Sequence, residues 1–292
     1  MLAVLALAVA QGPPPEAEGV LWDKLRARLT AIDARVDGVL AVSVEDLASG
    51  RTLELRADAV LATASSIKPA ILLEAYHAAA AGRLDLAEAV PLPDPRVGGG
   101  GPLELLGTGS RLTWRDLAVL MMSYSDNDAA NALIDRLGLP AVESRLQALG
   151  LTHTHLRRRM LDLAAARRGD ENVSTPAELR ALMKAVRAGA GLPPPLAADL
   201  RALAALAKRS EFEVPHPERV HLLSKTGTLD GVRCFAAVVE LPRRPYAIAI
   251  MAGHLADEPA GEAAVREVAG AVLATFERLD ADSEYGRARL RQ

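Results

Sequence analysis

Two periods of apolar residues alternate along the 292-residue chain, one typical of helices and one typical of strands. Helical spacing predicts a first helix near residues 19–36, a series of helices through the middle of the chain and a final helix that ends near Leu279. The strand period predicts strands at residues 38–44, 51–55, 220–228, 232–241 and 246–252. Strands therefore occupy both ends of the chain, and helices occupy the middle.

This order predicts an α/β (α+β) fold built on a five-stranded antiparallel sheet flanked by the terminal helices. The central helices would form an inserted all-helical lobe. We assign residues 20–62 and 213–279 to the sheet lobe and residues 63–212 to the helical lobe of one domain. An active site is expected between the two lobes.

The first residues have the features of an export signal. Residues 2–10 are apolar but too few to span a bilayer, and they end in Ala-Val-Ala, which fits the small-x-small rule for signal cleavage. The sequence predicts a signal peptide over 1–10, a flexible leader over 11–19 and a periplasmic or secreted protein. An uncleaved apolar tail is the alternative. The polar residues 280–292 predict a mobile tail.

Charge and cysteine content narrow the possible partners. The net charge is −3 with mixed signs along the chain, and no basic stripe indicates binding to nucleic acid or to a membrane surface. The single cysteine, Cys234, excludes an internal disulfide and a cysteine-rich metal site. We expect a monomer that needs no cofactor and acts on a small molecule.

A serine and a lysine three residues apart, Ser65 and Lys68, precede a strongly apolar run. At the start of a helix these two side chains share one face. Burial lowers the pKa of a lysine, and a neutral Lys68 amine can take the proton of Ser65 and make it a nucleophile. Backbone N–H groups at the helix start can form an oxyanion hole. The alternative is a capping serine followed by a surface lysine.

Two further short motifs follow Ser65. A Ser-Asp-Asn run at 125–127 lies between two predicted helices, and a Lys-Thr-Gly run at 225–227 lies on the strand before the Asp-Gly turn at 230–231. A glycine at 227 permits close approach of a substrate backbone. The four glycines at 98–101 follow no strand and precede no Gly-Lys-Ser/Thr, so they predict a flexible loop rather than a phosphate site.

The three motifs, separated by 60 and 100 residues, together resemble those of the class A serine β-lactamases and, more widely, the penicillin-binding proteins. The resemblance extends from about Leu21 to Leu279 and includes the residues that flank the second motif. It implies a serine hydrolase that opens β-lactam amides through an acyl-enzyme.

The resemblance also implies a role for each catalytic residue. Ser65 would be the acylated nucleophile and Lys68 its proton partner. Ser125 would relay a proton to the leaving nitrogen, and Lys225 would supply positive charge to Ser125 and to the substrate carboxylate.

Substrate binding would fall to the residues beside these groups. Asn127 would bind the substrate amide, and Thr226 and Gly227 would contact the substrate from the strand. The N–H of Thr228 would form the oxyanion hole together with the N–H of the nucleophile. Arg233 is a candidate second ligand for the substrate carboxylate, with a solvated surface arginine as the alternative.

One departure concerns deacylation. Class A enzymes carry a Glu-x-x-x-Asn that holds the deacylating water, and here Met160 and Ala164 occupy those places. A thioether and a methyl group cannot activate water. Among the nearby carboxylates, Asp162 is the best candidate to replace the glutamate as the base that activates water. The alternative is that Asp162 forms an ion pair with a neighbouring arginine. A D-alanyl peptidase or esterase, or a binding module that stays acylated, therefore remains an alternative.

A metal site is a weaker hypothesis. His153 and His155 are two residues apart and would share one face of a strand, but the sequence offers no third ligand nearby.

Overall fold

The computed structural model describes residues 16–107, 109–206, 220–283 and 285–288. Its helices are α1 Glu16–Asp33, α2 Lys68–Ala80, α3 Trp114–Ser123, α4 Asn127–Leu137, α5 Leu139–Ala148, α6 Leu163–Arg167, α7 Pro176–Ala188, α8 Pro194–Ala204 and α9 Glu258–Ala281. Its strands are β1 Val39–Asp46, β2 Thr52–Leu55, β3 Leu61–Ala62, β4 Ala89–Pro91, β5 Arg111–Thr113, β6 Val173–Ser174, β7 His221–Leu229, β8 Val232–Glu240 and β9 Tyr246–Gly253. Short 3₁₀ turns span Ala64–Ile67 and Pro102–Leu105.

The predicted five-stranded sheet is confirmed. Its strand order is β2-β1-β9-β8-β7, and every neighbouring pair is antiparallel. The N-terminal hairpin and the C-terminal strands join where β1 pairs with β9, from Val39 opposite Gly253 to Asp46 opposite Tyr246. Strand β7 lies at one edge of the sheet, so its outer side is available to the site.

The two faces of the sheet pack against different helices because successive side chains of a strand point to opposite faces. On one face α1 and α9 cover the sheet, and Phe276 stacks on Tyr246 with ring centroids 4.3 Å apart and meets Trp22 edge-on. On the other face the sheet packs against α7 and the helical lobe. Cys234 belongs to this second core and its neighbour Phe235 to the first.

Helix α2 is the buried centre of the helical lobe. Its carboxylate Glu74 is buried and pairs with Arg83 and Arg145, each at 3.0 Å. Its Tyr76 donates a 2.5 Å hydrogen bond to Asp199 of α8. A buried carboxylate needs such partners, because an unpaired charge in the core is strongly destabilising. These contacts fix α2, and therefore the residues at its N-terminus, relative to the rest of the lobe.

Some expected boundaries differ from the structure. Helix α1 begins at Glu16, inside the segment predicted as a flexible leader, and α9 continues through Ala281, past the expected start of the tail. The predicted signal peptide, the leader up to residue 15 and the tail from 289 to 292 lie outside the described residues. No helix in the described ranges is both long and apolar enough to cross a membrane.

Candidate active site

Ser65 lies in the 3₁₀ turn Ala64–Ile67, here called the nucleophile turn, and Lys68 is the first residue of α2. In a 3₁₀ turn residues i and i+3 lie directly above one another, so the two side chains share a face as the spacing predicts. Ala64 has a φ of 48°, which is a left-handed conformation that is costly for a residue with a side chain. The buried Ser66 hydroxyl donates a 2.6 Å hydrogen bond to Thr63 O and fixes the turn.

Lys68 is fully buried beneath the cleft. Its Nζ donates hydrogen bonds to Ser125 O at 2.5 Å, Ser125 Oγ at 3.2 Å and Asn127 Oδ1 at 3.0 Å. Burial lowers its pKa well below the ordinary value, and the nearby charge of Lys225 lowers the pKa further, against an opposing effect of Asp126. Burial therefore favours the neutral form of the Lys68 amine, which is the form that can accept a proton.

The Ser-Asp-Asn motif occupies the bend between α3 and α4. Ser125 has a φ of 59°, and Asp126 caps α4 by accepting a 2.9 Å hydrogen bond from Ala129 N. The second carboxylate oxygen of Asp126 accepts from Leu103 N at 3.0 Å. The middle residue of the motif thus fixes the bend, and the serine and asparagine on either side of it contact Lys68.

Lys225 approaches Ser125 from the sheet. Its Nζ donates to Ser125 Oγ at 3.0 Å and to Thr226 O at 2.9 Å. Burial lowers the pKa of Lys225 to about 7. The Ser125 hydroxyl therefore lies between two amines, Lys68 and Lys225, that belong to different lobes.

Gly227 brings the edge strand against the nucleophile turn. A Cβ at this position would overlap Thr63 O and would lie 2.9 Å from Ser66 N. From the sequence, this glycine was expected to admit a substrate backbone. In the structure it admits the backbone of the protein itself.

These elements surround a cavity of about 360 Å³. Of the sequence-predicted residues, the structure brings Ser65, Ser125, Asn127, Thr226 and Thr228 to its lining. The full lining is Ala64, Ser65, Gly99, Gly100, Gly101, Tyr124, Ser125, Asn127, Arg158, Met160, Leu161, Asn172, Thr226, Thr228 and Leu229. A cavity of this size suits a small molecule with several polar groups.

Arg233 does not reach this cavity. It lies opposite Thr228 on β8, and its guanidinium extends over the α9 face of the sheet. There it pairs with Glu258 at 2.7 Å and donates to Leu229 O and Val232 O at 2.9 and 2.8 Å. Arg233 is therefore a buried, ion-paired residue rather than a solvated surface arginine, and its predicted role as a ligand for the substrate carboxylate stays a prediction.

Met160, which was aligned from the sequence with the deacylating glutamate of class A enzymes, lines the cavity that contains Ser65. Asn131 of α4 holds its backbone: Met160 N donates to Asn131 Oδ1 at 2.8 Å, and Asn131 Nδ2 donates to Met160 O at 3.1 Å. Ala164 is exposed in α6 and is not among the lining residues. The loop from Leu156 to Asn172, here called the cleft loop, therefore contributes a methionine to the cavity lining.

The carboxylates of the cleft loop have structural partners. Asp162 caps α6 by accepting from Ala165 N at 2.9 Å, and it does not line the cavity. Asp170 pairs with Arg168 at the surface. Glu171 pairs with the buried Arg158 at 2.6 Å and accepts from Asn172 N at 2.8 Å.

The cleft loop also supplies Arg158, Leu161 and Asn172 to the lining, which the sequence analysis did not foresee. Arg158 and Asn172 hold each other: Arg158 N donates to Asn172 Oδ1 at 3.0 Å, and Asn172 Nδ2 donates to Arg158 O at 3.2 Å. These residues carry no recognisable motif, and their only signal is their place in a long loop without a helical or strand period.

The two histidines of the metal hypothesis have other partners. His153 Nδ1 lies 2.9 Å from Glu178, and His155 Nδ1 lies 2.9 Å from Glu143. Across the part of the chain that the structure describes, no three histidine, cysteine or carboxylate side chains are grouped so as to hold a metal ion.

Comparison with known proteins gives a consistent result. The model of the β-lactamase enzyme family matches residues 24–276. A curated relative, β-lactamase SME-1 of Serratia marcescens, is 27% identical over 157 residues, which are 53% of each chain. The match thus spans about half the length of this relative.

Solved structures match over most of the chain. A β-lactamase from Sphaerobacter thermophilus DSM 20745 has a TM-score of 0.79 at 27% identity and covers 88% of this chain and 98% of its own. An ancestral class A β-lactamase has a TM-score of 0.78 at 25% identity, covering 86% and 100%. The structure of a protein named PBP-A has a TM-score of 0.77 at 26% identity, covering 87% and 96%.

Proposed function

The chain belongs to the β-lactamase enzyme family, and on that basis we propose that it is a serine acyl-hydrolase of class A type that opens β-lactam amides through an acyl-enzyme on Ser65. One observation carries the proposal. The Ser125 hydroxyl lies within hydrogen-bond distance of two buried lysines, Lys68 and Lys225, and it lines the same cavity as Ser65. This arrangement can move a proton from a nucleophile to a leaving group.

Acylation follows from these groups. The neutral amine of Lys68 takes the proton of Ser65 as its oxygen bonds to the β-lactam carbonyl carbon. The N–H groups of Ser65 and Thr228 stabilise the oxyanion. When the carbon–nitrogen bond breaks, the Ser125 hydroxyl gives its proton to the nitrogen and regains one from Lys68. Each proton that leaves the nucleophile thus reaches the leaving nitrogen.

Substrate binding uses both sides of the cavity. Asn127 binds the amide of the acyl group, and Thr226 and Lys225 bind the carboxylate on the leaving-group side. Since Arg233 is directed to α9, we assign the positive charge that binds this carboxylate to Lys225 rather than to Arg233. Gly227 contributes by setting the edge strand close to the nucleophile turn.

Deacylation is proposed to be slow. The cavity lining contains no carboxylate among the described residues, and Met160 is the lining residue that the sequence aligns with the deacylating glutamate. The same observation favours a second candidate, a D-alanyl peptidase or esterase, or a module that binds β-lactams or peptidoglycan fragments and stays acylated.

We also propose that the protein acts as an exported monomer without a cofactor. Export is supported by the apolar residues 2–10, and periplasmic or secreted placement would bring the enzyme to its substrate. Neither a nucleic acid nor, after cleavage, a membrane is proposed as a partner.

The test is intact-protein mass spectrometry of residues 11–292 mixed with a penicillin or with a chromogenic cephalosporin, with Ser65→Ala measured in parallel. An adduct that depends on Ser65, decays over time and releases product supports a β-lactamase. An adduct that depends on Ser65 and persists supports the peptidase or the binding module. If neither drug forms an adduct, the proposed substrate class is wrong.

A further inference from the structure

We propose that Arg233 and Glu258 form a brace for the β7–β8 turn, residues Asp230 and Gly231, and that this brace positions the Thr228 N–H for acylation. The inference rests on the proposed function, because the position of this N–H affects the rate only if it stabilises an oxyanion. Both residues act through Thr228 rather than on the substrate, and Glu258 belongs to none of the three motifs.

The N–H of Thr228 points out of the edge of the sheet. Leu229 and Val232 flank the two-residue turn and form a hydrogen-bonded pair, so the next pair, Thr228 opposite Arg233, is not hydrogen-bonded. Residues of such a pair direct their N–H and C=O groups away from the partner strand. Because β7 is the edge strand, the Thr228 N–H is free of the sheet, and Thr228 lines the cavity with Ser65.

The turn itself lacks the conformation that two-residue hairpins favour. Types I′ and II′ match the twist of the two strands, and both require a positive φ at the first central residue. Asp230 holds that position without a positive φ, whereas Gly231, the second central residue, has a φ of 69°. The geometry of this turn therefore depends on contacts from outside the hairpin.

Arg233 supplies the first of these contacts. Its Nη1 donates hydrogen bonds to Leu229 O at 2.9 Å and to Val232 O at 2.8 Å. One guanidinium nitrogen thus holds the last residue of β7 and the first residue of β8. Leu229 directly follows Thr228, so a displacement of the turn is transmitted to the main chain that carries the proposed oxyanion donor.

Glu258, the first residue of α9, fixes both Arg233 and the turn. Its Oε2 accepts a 2.7 Å hydrogen bond from Arg233 Nη2, and its Oε1 accepts one from Gly231 N at 2.6 Å. Leu255 N donates to Gly231 O at 3.1 Å, so both main-chain polar groups of Gly231 are held. Arg233 is only 8% exposed, and a buried charge that loses its partner is strongly destabilised.

The next carboxylate of α9 does not duplicate Glu258. Glu262 lies 3.9 Å from Arg233 Nε, and this Nε has no hydrogen-bond partner among the described residues. Glu262 pairs instead with Arg266. The brace therefore depends on Glu258, and Glu262 provides a matched control on the same helix.

The first experiment measures acylation of Ser65 by stopped flow in wild type, Glu258→Gln and Glu262→Gln, and thermal unfolding checks each fold. Glutamine keeps the size of Glu258 but has one acceptor oxygen instead of two, so it cannot accept from both Arg233 and Gly231. We expect the first-order acylation rate constant to fall about tenfold in Glu258→Gln, because the oxyanion forms in the transition state. The dissociation constant of the substrate should stay within about twofold of wild type, and Glu262→Gln should change neither value.

A chromogenic cephalosporin and its methyl ester distinguish positioning from direct binding of the substrate. A brace acts on the reacting carbonyl, so Glu258→Gln and Arg233→Gln should each slow the acid and the ester by the same factor. If Arg233→Gln slows the acid alone, Arg233 binds the substrate carboxylate and the brace is wrong.

Hydrogen exchange of the wild-type protein tests the brace without any variant. The Gly231 N–H lies in a turn at the surface, and we expect its exchange to be at least about tenfold slower than that of an unprotected amide, because it donates to Glu258. Nuclear magnetic resonance resolves this amide. Exchange at the unprotected rate would show that the brace does not form in solution.

The outcomes separate this inference from the proposed function. If Glu258→Gln acylates both compounds at the wild-type rate, the turn is held without the brace, so the inference is wrong and the proposed acylation stands. If the wild-type protein acylates with neither compound, both proposals fail. If Glu258→Gln does not fold, Arg233→Gln and the exchange of Gly231 in the wild-type protein decide the question.

Discussion

The two sides of the cleft differ in what their polar groups contact. On the side of the nucleophile turn, Lys68, Ser125 and Lys225 form a continuous set of hydrogen bonds between buried amines and a hydroxyl. On the side of the cleft loop, Asp162 and Glu171 bind a helix end and an arginine, and a methionine faces the cavity. Under the proposed function, the first side would form the acyl-enzyme, and the second offers no carboxylate among the described lining residues to activate water. Formation and hydrolysis of the acyl-enzyme would then depend on separate parts of this fold.

The largest expected effect tests the nucleophile side. Lys68→Met keeps an unbranched side chain one atom shorter and removes the amine, and we expect the acylation rate constant to fall on the order of a thousandfold, as for loss of a general base. Stopped-flow measurement with a chromogenic cephalosporin gives the rate, and thermal unfolding checks the fold. An acylation rate within about tenfold of wild type would show that another group takes the proton of Ser65.

The next prediction supplies the missing group on the other side. Met160→Glu places a carboxylate in the cavity, and we expect the acyl-enzyme to decay at least about tenfold faster, with little change in its formation. The decay of the mass-spectrometric adduct measures this rate. Met160→Gln, with similar size but no base, is the matched control. If the acyl-enzymes of both variants decay at the same rate, the methionine does not limit deacylation.

A smaller effect concerns the charge of Lys225. Because burial lowers its pKa to about 7, this lysine is positively charged below that pH and neutral above it. We expect acylation by a penicillin that carries a carboxylate to fall about tenfold as the pH rises from about 6 to about 9. The pH profile of the acylation rate is the measurement.

The methyl ester of the same penicillin provides the control for that profile. It has no carboxylate for Lys225 to bind, so its profile should lack the fall above about pH 7. Identical profiles for the acid and the ester would assign the pH dependence to another step.

The smallest effect is expected at Asp162. Asp162→Ala removes the cap of α6, and we expect a loss of up to about 1 kcal/mol in the free energy of unfolding, with deacylation unchanged within about twofold. Denaturant unfolding and adduct decay are the two measurements. Asp257→Ala removes the equivalent cap of α9, far along the chain, and is the control for the loss of a cap alone. If the acyl-enzyme decays about tenfold more slowly in Asp162→Ala but not in Asp257→Ala, Asp162 is the base that activates the deacylating water.

Local chemistry explains which parts of the fold could be predicted from the sequence. Thr113 and Asp116 form the capping box of α3, and Thr175 caps α7 ahead of Pro176; these contacts can be read from the sequence because they involve residues three apart in the chain. The sheet was predictable because its central strands are short apolar runs, as expected for strands buried on both faces, and Asp230 precedes a glycine in the tight turn.

The remaining features depend on residues that are far apart in the sequence. The position of the Arg233 side chain depends on its ion pair with Glu258 of α9. No local sequence pattern shows which face of the sheet α9 covers. Gly227 indicated a close approach, but the approaching group is Thr63, more than a hundred residues earlier. The glycines at 98–101 were visible as a run, while the hydrogen bonds that hold them come from Asp128 and Glu104.

The contact of Gly227 with the nucleophile turn also determines how activity should be lost on heating. Ser65 and Ser125 belong to the helical lobe and Lys225 to the sheet, and the backbones meet at Gly227 without an intervening side chain. The lobes cannot separate without pulling Lys225 from Ser125, so we expect no partly melted molecule to retain catalysis. The acylating activity that remains after heat treatment would then be proportional to the number of fully native molecules in the sample.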